Sequence, residues 1–230
     1  MFTRSFRTAL VAALAALTVA TTALAVTGST PDGDAHPYAG ALFVDGAVQC
    51  SGVLIAPTIF ATAGHCGADG SRVAVSFASR LDDGRSLLGG TLEVDPAKKA
   101  DLAVVVLDRA ASVAPAHLPS AGAADALSKG ATVTSVGYGY SSIAADGSFV
   151  YDGLRRRADS PVTRVTKTTL VLSTSTAGPC LGDSGGPQLA DDTVLSVTSV
   201  GSKDCSGTAE GYRLDTASAR AFLADFVALP

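Results

Sequence analysis

Cys180-Leu181-Gly182-Asp183-Ser184-Gly185-Gly186-Pro187 is the stretch that says most about this chain. A serine between glycines sits on backbone that turns sharply and can approach a substrate closely. An isolated hydroxyl is a poor nucleophile. It needs a base within hydrogen-bond reach and a third group to orient that base. The formal G-x-S-x-G match also fits the nucleophile elbow of an α/β-hydrolase, but in that fold the histidine follows the serine. Here all three histidines, His36, His65 and His117, precede Ser184, so an elbow with a histidine base is excluded.

Upstream, Thr62-Ala63-Gly64-His65-Cys66 follows a strand-like run from Val53 to Ala61. His65 is therefore the candidate base. A bridge from Cys66 to Cys50 would hold its backbone on a rigid loop. In the loop-entropy account such a closure adds about 3 kcal/mol through the unfolded state. Between base and serine lies Asp101-Leu102-Ala103-Val104-Val105-Val106-Leu107. A carboxylate at the head of a buried apolar strand is costly unless it has partners. One reading of Asp101 is an exposed strand end beside Lys98 and Lys99. The other is the carboxylate that holds the imidazole in one tautomer and stabilises the imidazolium.

Taken together, T-A-G-H-C, D-L-A-V-V-V-L and G-D-S-G-G-P, in the order His, Asp, Ser, resemble the chymotrypsin/trypsin family of serine proteases, as a secreted member of the bacterial type. The resemblance covers residues 26 to 230. It implies an all-β fold of two antiparallel six-stranded barrels, followed here by a C-terminal helix. It implies His65 as general base, Asp101 as its orienting carboxylate and Ser184 as nucleophile, with the N–H groups of Gly182 and Ser184 forming the oxyanion hole. Four cysteines allow three pairings; the resemblance selects Cys50–Cys66 and Cys180–Cys205. Ser199-Val200-Gly201 resembles the family's S-W-G edge, which adds the substrate backbone as a strand, with valine in place of tryptophan. Val136-Gly137-Tyr138-Gly139 resembles its G-W-G stretch.

Substrate-binding positions implied in this way are Gly178, Ser199 and Gly201. Gly178 stands where trypsin-like members carry the aspartate that selects Arg or Lys, so an apolar or mid-sized side chain is expected before the scissile bond. Glu210, on the far strand of the implied pocket, would restore a basic preference if its carboxylate pointed inward. The family is switched on when a new N-terminal amine pairs with the aspartate before the nucleophile. Here that is Asp183, and cleavage after Ala25 would leave Val26-Thr27-Gly28-Ser29, similar to the family's I-V-G-G.

The beginning of the chain supports that reading. Arg4 and Arg7 precede an apolar, Ala-rich run from Leu10 to Leu24, and Ala23-Leu24-Ala25 has the form of a cleavage signal. This is the layout of a secretory signal peptide. The expected organisation is a signal peptide over 1–25, a first barrel over 26–120 and a second barrel with the terminal helix over 121–230. A soft boundary lies near Pro115 to Gly122. Export makes the cysteines disulfides rather than free thiols, and the expected location is extracellular.

Composition agrees. Of 230 residues, 47% are hydrophobic and 17% charged, which excludes a disordered or multi-span chain. The net charge of −4 with no basic stripe argues against nucleic-acid binding. The one basic run, Arg155-Arg156-Arg157, reads as a solvated loop. Strands are read at Ala41 to Val44, Ser51 to Ile55, Arg72 to Phe77, Leu102 to Leu107, Ala131 to Val136, Thr169 to Ser173 and Val194 to Val200. Gly/Asp/Ser clusters at 67–71, 82–90, 145–148 and 201–207 read as turns. A helix is read after Asp215 or Thr216, with Ala219, Phe222, Leu223 and Phe226 on one side.

No cofactor or metal is expected. No C-x-x-C occurs, and Asp69, Asp82 and Asp83 read as turn residues rather than calcium ligands. Expected partners are polypeptide substrates, with no nucleic acid, no membrane after signal cleavage, and a monomeric state. The predicted function is a secreted serine endopeptidase. The alternative is a non-catalytic secreted binding protein on the same fold; members of that kind lose a triad residue or the oxyanion glycine, and this chain keeps them all.

Overall fold

A computed structural model describes residues 29–82, 86–144 and 146–230. The expected signal peptide and Val26 lie outside the described residues, as does Asp83.

The first barrel is closed in the order β2-β3-β4-β7-β6-β5. Its strands are β2 (Ala39–Val44), β3 (Ala47–Ala56), β4 (Ile59–Thr62), β5 (Arg72–Ser76), β6 (Leu88–Val94) and β7 (Ala103–Leu107), following a short β1 (Thr30–Pro31). All the pairings are antiparallel. The runs Val53-Leu54-Ile55, Ile59-Phe60-Ala61 and Ala103-Val104-Val105 are buried, so their inward faces pack as one core. Burial of such side chains contributes roughly 1.5–3 kcal/mol each. Phe60 fits only because Gly40 and Gly52 lack side chains: a Cβ on Gly52 would lie 2.3 Å from its ring.

The remaining strands are β8 (Thr132–Gly137), β9 (Ser142–Ile143), β10 (Phe149–Val150), β11 (Arg156–Val165), β12 (Thr169–Ser173), β13 (Pro187–Ala190), β14 (Thr193–Gly201) and β15 (Thr208–Arg213). Strands run β11-β12-β15-β14-β13-β8, and β8 pairs again with β11, which closes a second six-stranded barrel. The segment β1 adds to it at Arg156 and Arg157, and β9 and β10 form a small separate hairpin. Two antiparallel barrels and one short helix are thus the fold expected from the sequence.

Helix α1 (Ala217–Leu223) starts at Thr216, whose hydroxyl accepts the Ala219 N–H. Buried Ala219 and Leu223, one turn apart, seat it against the core, with Phe222 and Phe226 packed alongside.

Every strand read from the sequence is present. Among the barrel strands, β6, β11, β13 and β15 were not read, and neither were the two-residue strands β1, β9 and β10. β6 begins inside a Gly-rich cluster read as a turn. There Gly89 and Gly90 let β6 pass beside Asp108 and β7, since a Cβ on Gly90 would sit 2.5 Å from Val105. The basic run is a larger correction. Arg156 opens β11, and the Arg155 side chain is 1% exposed. Its guanidinium reaches the Asp32 carboxylate at 3.0 Å and donates to the carbonyls of Gly33, Ala39 and Phe77. A buried arginine is tolerated when its charge is paired and its donors are used.

Candidate active site

His65 lies in a 3₁₀ turn, Gly64–Cys66, that follows β4. The disulfide Cys50–Cys66 ties that turn to β3. Asp101 sits just before β7, the hydrogen-bonded neighbour of β4. Both Asp101 oxygens lie 3.0 Å from His65 Nδ1, and Asp101 Oδ1 also accepts the His65 backbone N–H at 3.0 Å. The imidazole is thereby fixed with Nδ1 toward the carboxylate and Nε2 free to work. The Ser199 hydroxyl, from β14 of the second barrel, donates to Asp101 Oδ2.

These contacts set the proton affinities. Burial works against the charge of Asp101, but hydrogen bonds from His65 and Ser199 outweigh it and hold the carboxyl below its usual 3.8. The hydrogen bond from Asp101 raises the affinity of His65 for its proton, and partial burial only partly offsets this.

Ser184 follows a tight loop in the second barrel. Gly182 has φ +91°, a left-handed conformation that favours glycine. The loop is pinned on two sides. Gly185 N–H donates to Thr198 C=O at 2.7 Å, and Thr198 N–H to Gly186 C=O at 2.9 Å. From the first barrel, Ser51 N–H donates to Ser184 C=O at 2.8 Å. Among the described residues no hydrogen bond joins the Ser184 hydroxyl to His65. In sites without substrate this bond is often long, and it tightens in the Michaelis complex.

Asp183 is buried beneath the loop. Its carboxylate accepts the N–H groups of Gly139 and Cys180 at 2.8 and 2.9 Å. Burial pushes it up to about 6 despite these bonds and the more distant Arg156 charge. Beside it is a cavity of about 10 Å³ lined by Ser29, Ser135, Arg156, Gly178 and Asp183 among others. Gly178 has no room for a side chain, since a Cβ there would meet Thr174 at 2.4 Å. Gly201 ends β14 and is exposed, and Glu210 is half-buried opposite Val200. The second disulfide, Cys180–Cys205, joins the loop to the turn between β14 and β15. A second cavity, of about 420 Å³, is lined by Gln49, Tyr140, Tyr151, Leu181 and Gly182 among others.

Cys50, His65 and Cys66 cluster, but both sulfurs are committed to a disulfide and offer no thiolate. Asp69 is a turn residue, accepting the Val94 N–H at 3.0 Å.

The sequence profile of the family described as Trypsin matches residues 25–222. The chain belongs to the trypsin family. Among solved structures, this trypsin-family chain is similar to HL collagenase at 19% identity, with a TM-score of 0.70 over 83% of this chain and 93% of that one. It is equally similar to a structure of HBP, at 20% identity and a TM-score of 0.70 over 89% and 97% of the two chains. At such identity the likeness speaks for the fold. No curated protein sequence matches. The trypsin-like scaffold agrees with the two barrels and both disulfides.

Two sets of contacts in the site carry no signal in the sequence. Ser199 was read as a substrate edge, and its bond to Asp101 was not foreseen. Ser51 carried no signal at all, because a serine inside an apolar strand reads as filler.

Proposed function

We propose that this trypsin-family chain is a secreted serine endopeptidase. The observation that carries the proposal is the Asp101–His65 pair at 3.0 Å, held on the first barrel, with Ser184 on a pinned glycine loop of the second. His65 takes the Ser184 proton as the hydroxyl attacks the scissile carbonyl, then returns it to the leaving amine. Asp101 stays ionised and stabilises the imidazolium. The N–H groups of Gly182 and Ser184 hold the oxyanion. Water then hydrolyses the acyl-enzyme by the same base. Ser199 and Gly201 on the edge of β14 align the acyl half of a polypeptide substrate, and Gly178 favours an apolar or mid-sized residue before the scissile bond.

Activation follows from the buried Asp183. Removal of residues 1–25 frees the amine of Val26, three residues before Ser29, a span of about 10 Å. Ser29 lines the cavity beside Asp183. An ammonium there would pair with a carboxylate that burial otherwise disfavours. Among the described residues no helix is long and apolar enough to cross a membrane.

The test is pre-steady-state hydrolysis of a peptide nitrophenyl ester. A burst of nitrophenol equal to the enzyme concentration, together with turnover of the matching peptide amide, is expected. Linear release without a burst and no amide turnover contradicts the proposal.

A further inference from the structure

Ser51 lies on β3, next to Cys50, and is wholly buried. All of its polar groups are used. Its hydroxyl accepts the Tyr138 N–H at 2.8 Å and donates to the Gly182 carbonyl at 3.0 Å. Its own N–H donates to the Ser184 carbonyl at 2.8 Å, and its carbonyl accepts the Thr62 hydroxyl at 2.8 Å. Two of these four bonds end on the two residues whose N–H groups would face an oxyanion.

We infer that Ser51 is a positioning residue, whose side chain sets the oxyanion loop by holding the Gly182 carbonyl while its backbone holds that of Ser184. The inference rests on the reading of Ser184 as nucleophile. A glycine at φ +91° has no side chain to restrain it, so the orientation of the peptide that follows it depends on outside partners. The Ser51 hydroxyl is such a partner. It also ties the loop to Tyr138, whose neighbour Gly139 donates to Asp183. One hydroxyl from the first barrel therefore joins the Gly182 carbonyl to the segment that holds Asp183. The space around it limits the residue to something small: a Cβ on Gly137 would lie 2.9 Å from Ser51 Oγ, and one on Gly186 3.2 Å from Ser51 Cβ.

Ser51→Ala leaves the Gly182 carbonyl and the Tyr138 N–H unpaired in the protein interior. Loss of a single oxyanion donor costs about 10²–10³-fold in kcat, and a misaligned donor should cost about 10- to 100-fold. The change should fall on kcat, with KM within about threefold, because the donor acts on charge that develops only in the transition state. Affinity for a peptide aldehyde, whose adduct is tetrahedral, should fall in parallel. Ser51→Gly leaves room for a water in place of the hydroxyl and should give an intermediate kcat. Val53→Ala, a buried core change on the same strand, lowers stability and serves as the control for simple destabilisation; its kcat should match the parent. Parent kcat and aldehyde affinity in either Ser51 variant, measured where circular dichroism reports a folded chain, overturns the inference. So does an equal loss of kcat in Val53→Ala. A parent enzyme that neither turns over amides nor gives a burst fails the endopeptidase reading instead.

Discussion

The two barrels bury different things. In the first, the interior is mostly hydrocarbon: Leu42, Val53, Leu54, Phe60, Leu92, Val104 and Val105 are fully buried, and the fully buried polar side chains of its strands, Ser51, Thr62 and Ser76, are small hydroxyls. In the second, Ser135, Ser160, Gln188, Ser196, Arg213 and Asp215 are buried along with Val133, Leu170 and Leu172. Arg213 is held by both oxygens of Asp215, at 2.9 and 2.8 Å. The first barrel carries the His65–Asp101 pair on tightly bonded strand ends. The second carries Ser184 on a loop whose shape depends on single hydrogen bonds and on a buried carboxylate. Packing that is apolar and non-directional tolerates small shifts. A polar interior fails more abruptly, since each lost partner leaves a desolvated group. Core substitutions in the first barrel should therefore lower stability more than turnover, and polar substitutions around the second-barrel loop should do the reverse.

The largest expected effect is on the pair itself. Asp101→Asn keeps the shape but favours the wrong imidazole tautomer, and kcat should fall about 10⁴-fold in steady-state peptide hydrolysis. Phe60→Ala sharpens the contrast. It should cost about 3–5 kcal/mol in urea denaturation while the folded fraction keeps its kcat. Asp183→Asn, in chain that begins at Val26, should act on turnover instead. The kcat of the folded chain should fall about 10²–10³-fold, the scale of a lost oxyanion donor, and some stability goes with it, because the Val26 ammonium loses its partner.

Two pH effects are smaller. In chain that keeps residues 1–25, Asp183 binds a proton more tightly folded than unfolded. Its contribution to stability is fully present below pH 3.8 and is lost as pH rises through about 6. Denaturation midpoints should therefore drop across that window, and the drop should be absent from chain whose Val26 amine pairs with the carboxylate. In the first barrel, Asp101 raises the affinity of His65 for its proton. Activity needs the neutral imidazole, so kcat/KM should fall with decreasing pH through a value above 6.5, the ordinary histidine value. Asp101→Asn should move that limb to lower pH.

The same contrast explains what could be read in advance. Strands whose residues are apolar on successive positions, such as Val53 to Ile55 and Val104 to Val106, announce themselves. So did the helix cap at Thr216. β11 alternates exposed Arg157, Asp159 and Pro161 with a buried row of Ala158, Ser160 and Val162. Two of those three are small or polar, so the row gives no hydrophobic alternation. Arg155 looked solvated because three consecutive arginines usually are; its carbonyl and carboxylate partners come from Gly33, Ala39, Phe77 and Asp32, distant in sequence. The candidate triad was legible because its chemistry fixes the residue types and the family resemblance fixes their order. Ser199 and Ser51 were not, since their roles exist only through partners on the opposite barrel.

The central claim is that Ser184 is an activated nucleophile in chain that begins at Val26. The most direct measurement treats protein recovered from the culture medium with a fluorophosphonate and reads intact mass and peptide map together. The account predicts one adduct, on Ser184, absent from His65→Ala, on a chain starting at Val26. No adduct on a chain with that start and both disulfides closed would contradict it.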